Sequence, residues 1–398
     1  MLRSTLKKSI LALALLFWMA PTLAPAQDAE STEPWSVRMA ESVMERKPDL
    51  TDEWEYEMGV MLKGFHELYE RTGDEKYWDY LKRNVDRFVQ PDGDIRTYTI
   101  QEYNIDNIAP GKLLFSLYEE TGDERYLNAA DTLREQLHGH PRTSEGGFWH
   151  KEIYPHQIWL DGVYMMGPFL TRYGRHFDEP EAFDEVTKEI LLVSRYMRDA
   201  ETGLYYHGWD ESRQQRWADN KTGLSKNFWG RGMGWYGMAL VDVLDYLPED
   251  HPDRGEIIRV LQNYAEAVSD VQDPVTGVWY QILDKPNRPE NYLEASASSM
   301  FTYMLAKGVR KGYLDDKYLD VAQRAHAGIV EEFVEVTDEG LVNLCCGVSV
   351  GGLGGSDPYR DGTFKYYMSE SLRMNDNKAV GPFIMASLQL EALSDSSN

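Results

Sequence analysis

Two kinds of turn recur along this chain, and together they demand a closed stack of helix pairs. The first is LYERTGDEKYW at 68–78, repeated as LYEETGDERYL at 117–127 and echoed in KGYLDDKYLDVA from Lys311. Each copy joins a helix end to the next helix start: glycine stops the first helix and aspartate caps the second. The second kind is DAETGLYYHGWD at 199–210, which aligns without gaps to DPVTGVWYQILD at 273–284. GGFWH at 146–150 fits the same glycine-x-aromatic-aromatic pattern, and GLVNL at 340–344 is a fainter copy. Repeated helix pairs bury a continuous core only against their neighbours. One set of connections is short; the other is long, aromatic and partly extended. Closed into a ring, the long set rims one mouth, so the expectation is a helical toroid of about a half-dozen hairpins with its pocket at that rim. His150, His207 and Gln281 fall at equivalent places in the second repeat and are expected to face inward.

The hydrophobic pattern between the turns is helical. Leu113/Leu114 with Leu117/Tyr118, then Leu127, Ala130, Leu133 and Leu137, follow the 3.6-residue period. So do Met233, Tyr236, Leu240, Leu244 and Leu247, and Leu293, Ala297, Met300/Phe301 and Met304/Leu305. The first residues read differently. Arg3, Lys7 and Lys8 precede a short apolar run from Ile10 to Ala20 and the A-x-A site Ala24-Pro25-Ala26. Residues 1–26 are therefore expected to be a cleaved signal peptide, with 27–398 a single catalytic domain in the periplasm or outside the cell.

Charge and cysteine content narrow the partners. A formal net charge of −25 argues against nucleic acid and anionic membrane surfaces as partners. An anionic substrate then needs local Arg or Lys to offset the global field. The two cysteines, Cys345 and Cys346, are adjacent, which gives neither a disulfide framework nor a cysteine-based zinc site. The nine histidines show no metal-binding spacing, and no cofactor or metal is expected. The glycine-rich GVSVGGLGG at 347–355 lacks the ending of a phosphate loop and reads as an ordinary loop.

Against that background HQIWLDGVYMMGPFL at 156–170 stands out, because Asp161 lies in an apolar run beside Trp159, Leu160, Val163 and Tyr164. A carboxylate in such company is unfavourable unless paired, so its pKa is expected to rise. A carboxylic acid that holds a proton near neutrality is what general acid catalysis needs. Asp106, in YNIDNIAPGKLL, precedes a helix and reads either as a turn residue or as a second acid. FWGRGMGWYGMAL at 228–240 sets Trp229, Arg231 and Trp235 among glycines. Tryptophan faces stack on sugars, and arginine grips a carboxylate bidentately. Lys151, next to His150, is a further candidate for an anion contact.

The ordered set IDNIAPGKLL, HQIWLDGVYMMGPFL, FWGRGMGWYGMALVDVLDYLP, NYLEASASSMFTYMLAKGVRKGYL and NDNKAVGPFIMAS resembles the unsaturated rhamnogalacturonyl hydrolases, glycoside hydrolase family 105, with the unsaturated glucuronyl hydrolases of family 88 as more distant kin. The resemblance implies an all-α fold, an (α/α)6 barrel of six hairpins with short extended segments in the loops at one mouth. It implies a substrate ending in a Δ4,5-unsaturated uronic acid, from rhamnogalacturonan, ulvan or a related polymer. It also implies hydration of the C4=C5 double bond in place of the usual two-carboxylate attack at C1. By motif, Asp161 resembles the family's acid/base and Asp106 its second active-site aspartate, two carboxylates of which one should keep a proton. His207 and Arg231 resemble its substrate contacts, Trp159, Trp229 and Trp235 its aromatic walls, and Lys151 a further contact. Two other readings use the same residues. A sugar epimerase or isomerase on this barrel would employ His150 and His207 as acid and base. A non-catalytic oligosaccharide-binding protein would need Trp159 and Arg231 but no acid at 161.

Overall fold

The computed structural model describes residues 33–396; the expected signal segment lies outside them. Six helices form an inner ring: α2 (Tyr56–Thr72), α4 (Lys112–Thr121), α6 (Leu160–Phe177), α8 (Gly230–Val243), α10 (Ala295–Arg310) and α13 (Asn377–Ser396). Each packs on the next, and α13 closes back on α2. An outer helix backs each one: α1 (Trp35–Arg46) behind α13, α3 (Glu75–Asp86), α5 (Arg125–Gly139), α7 (Pro180–Met197), α9 (Arg254–Asp270) and α11 (Lys317–Phe333). A short α12 (Phe364–Ser369) lies in the last long connection. The result is the (α/α)6 toroid that the repeats call for.

Composition explains which helix goes where. Every residue of α8 is buried, and its four glycines let neighbouring helices approach closely. Outer helices such as α3 bury one stripe, Tyr77, Trp78, Leu81 and Val85, and turn charge outward. The short turns behave as their sequence dictates. Gly73 and Gly122 end α2 and α4 with φ of 67° and 68°, and the Asp74 and Asp123 carboxylates accept from the amides of Lys76 and Arg125 at 3.1 Å.

The long connections share a second device. Asp199 Oδ1 accepts from the amides of Glu201 and Thr202 and from the Thr202 hydroxyl, and Gly203 follows with φ 73°. Asp273, Thr276 and Gly277 repeat this. So do Asp219, Thr222 and Gly223, a third copy of D-x-x-T-G that the sequence reading passed over. These turns launch short extended segments that cross from one hairpin to the next. Strand β1 (Gln157–Trp159) pairs antiparallel with β2 (Gly208–Asp210), with Trp159 opposite Gly208. Strand β3 (Val334–Val336) pairs with β4 (Val342–Leu344), and β5 (Gly347–Val348) with β6 (Leu372–Arg373). Cys345 and Cys346, just before β5, are bonded to each other. Because the short turns lie at one end of the inner helices, all the long connections gather at the other, around the inner-helix N-termini.

Candidate active site

Register, not sequence proximity, assembles the site. Asp161 lies in the first turn of α6, directly after β1. Pairing of β1 with β2, extended by a bond from the Leu160 amide to the His207 carbonyl (3.1 Å), sets Asp161 beside His207. Asp161 Oδ2 and His207 Nε2 are 3.2 Å apart, and both atoms are buried with no aligned hydrogen-bond partner. The other ring nitrogen of His207 shares a 2.8 Å hydrogen bond with the Tyr367 hydroxyl. Burial lowers the His207 pKa against the opposing pull of Asp161, so the ring is neutral at ordinary pH.

A second pair forms in the same way. Asn104 bridges Lys151, and the Ile105 amide bonds the His150 carbonyl (3.2 Å). Asp106, in the 3-10 turn that leads into α4, thereby meets Lys151 Nζ at 2.7 Å and His150 Nε2 at 3.4 Å. Burial alone would push the Asp106 carboxyl up, but the Lys151 ammonium and His150 hold it well below the usual carboxylate range. Asp106 is therefore ionised, and each aspartate has its own nitrogen partner. Of the two carboxylates, one of which is expected to keep a proton, Lys151 and His150 make Asp106 the charged member.

Arg231, in the first turn of α8, is 1% exposed. One guanidinium nitrogen bonds the Val348 carbonyl, the group lies over the Trp229 ring at 5.1 Å, and Nε has no partner. Among the described residues it faces no carboxylate. A buried guanidinium left without an acid is a preformed anion site. The helix geometry adds to this: Tyr56, Asp106, Asp161, Arg231 and Ser296 all lie at or near inner-helix N-termini, whose amide dipoles converge on one mouth.

The tryptophans form the frame that holds these groups. Trp159 stacks between His150 (4.3 Å) and Tyr154 (4.8 Å) and meets His207 edge-on. Trp229 packs on His207 (4.5 Å) and Tyr367 (6.0 Å). Trp235 stacks on Tyr164 (4.9 Å) and lies edge-on to Tyr56 (6.1 Å). All three are at most 5% exposed. His150, His207 and Gln281, singled out by the repeat, are all buried here, each with a side-chain nitrogen unpartnered; Gln281 also accepts from Trp229 Nε1 at 3.2 Å.

Four contributors went unnoticed in the sequence. Tyr56 lies within electrostatic reach of Asp106 and Arg231, its phenol pushed well up by burial. Tyr367 orients His207. Glu294 caps α10 and accepts from the Val348 amide at 2.8 Å, fixing the carbonyl that Arg231 uses. Tyr154 covers Trp159. Only Glu294 carried a signal, as an acid just ahead of a small-residue helix start.

Known proteins share this fold. The model of Glycosyl Hydrolase Family 88 matches residues 35–394. A solved structure described as a glycoside hydrolase from family 105, of C. acetobutylicum ATCC 824, superposes with a TM-score of 0.88 at 46% identity, covering 90% of this chain and 100% of that one. The unsaturated rhamnogalacturonyl hydrolase YesR of Bacillus subtilis (strain 168) is 32% identical over 285 residues, 70% of this chain and 77% of that protein. The unsaturated 3S-rhamnoglycuronyl hydrolase of Alteromonas sp. (strain LOR) is 26% identical over 277 residues, 66% of this chain and 64% of that protein. The toroid and its matches define a glycoside hydrolase. The chain belongs to family 105, the unsaturated rhamnogalacturonyl hydrolases, within the wider family 88 relationship.

Proposed function

We propose that the protein removes a Δ4,5-unsaturated uronic acid from the non-reducing end of polysaccharide-lyase products by hydrating the C4=C5 double bond. One observation carries this reading: a buried Arg231 with no acid partner at the same mouth as a charged Asp106 and a separate Asp161–His207 pair. The uronate carboxylate occupies the Arg231 site, which the converging helix N-termini favour even in a chain of net charge −25. Asp161, in its acid form, gives its proton to C4. Positive charge then develops at C5 and the ring oxygen, where the fixed negative charge of Asp106 stabilises it. Water adds at C5 and returns a proton to Asp161. The hemiketal so formed breaks its C5–ring-oxygen bond to give a C5 ketone, and the C1 hemiacetal left behind releases the rest of the saccharide.

The names of two relatives pair rhamnose with an unsaturated uronyl group, which supports a rhamnogalacturonan- or ulvan-type product as substrate. The composition of residues 1–26 supports action in the periplasm or outside the cell, and sequencing of the mature N-terminus checks it. The activity is tested by following the ultraviolet absorbance of the conjugated enol-acid. It should fall when the enzyme meets lyase digests and stay constant with Asp161→Asn. A folded Asp161→Asn enzyme with full activity sinks the assignment.

A further inference from the structure

The glycine-rich loop at 347–355 holds Arg231 through the Val348 carbonyl and reaches, at Gly355, a second opening beside the site. A cleft of about 1140 Å³ lies at the mouth, lined by Tyr154, Gln157, Gln215, Tyr359, Arg360 and Tyr366 among others. Two cations line it, Lys365 and Arg360, and Arg360 is held in place. Its backbone bonds Gly354 in both directions (2.8 and 3.0 Å), its Nη2 donates to the Tyr154 hydroxyl at 2.6 Å, and its Nε donates to the Gly354 carbonyl at 3.3 Å. Gly352 makes room for it: a Cβ there would lie 2.5 Å from the guanidinium. The same loop is wedged on the site, since a Cβ on Gly351 would meet the Trp229 ring at 2.3 Å.

Arg360 is thus tied to the catalytic frame through ordered rings. Tyr154 holds it and stacks on Trp159, which stacks on His150 beside Asp106. Its charge also reaches His207, whose pKa it helps to lower. Asp357, Asp361 and Glu370 also line the cleft, Asp361 engaged with Thr363, but among the described residues none of them forms an ion pair with Arg360. A guanidinium held rigid by neutral partners, half-buried and open to a sugar-sized cleft, is preorganised for an anion.

Arg231 already accounts for the carboxylate of the unsaturated ring, so the anion at Arg360 belongs to another part of the chain being cut. We propose that Arg360, positioned by Tyr154, is a specificity residue that selects saccharides carrying a second anionic group, a sulfate ester or a carboxylate, beyond the unsaturated ring. This rests on the hydrolase reading given above. It makes the cleft a leaving-group site in which charge sets the preference.

Three substrates separate the sources: an unsaturated uronyl-rhamnose disaccharide, the same disaccharide sulfated on rhamnose, and an unsaturated tetrasaccharide with an internal uronate. The readout is the ratio of kcat/KM for each substrate that carries a second anion to that for the unsulfated disaccharide, measured for the parent enzyme and for Arg360→Gln. Loss of a charge-assisted bond lowers that ratio about tenfold or more, mostly through KM. A fall confined to the sulfated disaccharide identifies sulfate as the ligand; a fall confined to the tetrasaccharide identifies the carboxylate. Tyr154→Phe, which removes only the hydroxyl that holds the guanidinium, lowers the same ratio by a few-fold and stands in if Arg360→Gln does not fold. Ratios unchanged in the folded variants overturn the inference while the hydrolase reading stands. Failure of the parent enzyme to turn over any of the three overturns both.

Discussion

Replacing Lys151 by methionine isolates the electrostatic core of the site. Lys151 Nζ lies 2.7 Å from Asp106 Oδ2, and both side chains are largely buried. At that distance two unit charges attract by about 1.5 kcal/mol in water and about 6 kcal/mol at an effective dielectric near 20. At about 1.4 kcal/mol per pKa unit, losing the ammonium lifts the Asp106 carboxyl by about one to four units. Burial, which pushes the carboxyl up in the parent too, is then opposed by His150 and no longer by the ammonium. Because Asp106 must be ionised to stabilise charge at C5, acidification should remove activity already at a higher pH than in the parent enzyme. The acid limb of kcat/KM against pH, followed by ultraviolet absorbance, should therefore move upward by one or more units in Lys151→Met. It should return toward its original place in Lys151→Arg, which restores the cation. A Lys151→Met enzyme with an unmoved acid limb and only a raised KM would refute this reasoning and assign Lys151 to substrate binding instead.

Other expectations follow from single contacts. Arg231→Lys keeps the charge but loses the planar fork and the bond to the Val348 carbonyl, so KM should rise about ten- to a hundredfold in steady-state assays. Tyr367→Phe removes the hydroxyl on His207 Nδ1 and should lower kcat by several-fold with little change in KM. Glu189 is buried under the Phe148 amide, and burial raises its carboxyl to about 7. Its folded-state pKa lies above the unfolded one, so the penalty is absent below about pH 4 and grows as pH rises toward 7, reaching about 3 kcal/mol. Glu189→Gln should therefore stabilise the protein in urea melts at pH 8 and do little at pH 4.

The ring of helix pairs was legible because its turns are local. Gly73 and Asp74 write their own cap, and D-x-x-T-G closes on itself within a few residues. The positions of His150, His207 and Gln281 followed from the same repeat. What met what was not legible. Asp161 reaches His207 only through the β1–β2 register, and Asp106 reaches Lys151 only through a bridge between two separate hairpins. The tryptophans show the same limit. The sequence favoured rings facing a sugar, whereas Trp159 has protein rings on both sides and Trp235 is packed against Tyr164 and Tyr56. An aromatic residue near a glycine looks the same in sequence whether it lines a wall or supports one. The loop at 347–355 likewise read as featureless, because its glycines matter for what they let in, Trp229 and Arg360.

The claim on which the rest depends is that the acid protonates carbon. Reaction in D2O, quenched early and read by mass spectrometry and NMR, tests it most directly. Hydration places one deuteron on C4 of the released sugar, and the conjugated double bond is lost no later than the leaving saccharide appears. Release of a monosaccharide that still carries the C4=C5 double bond, with no deuterium gained at C4, would contradict it.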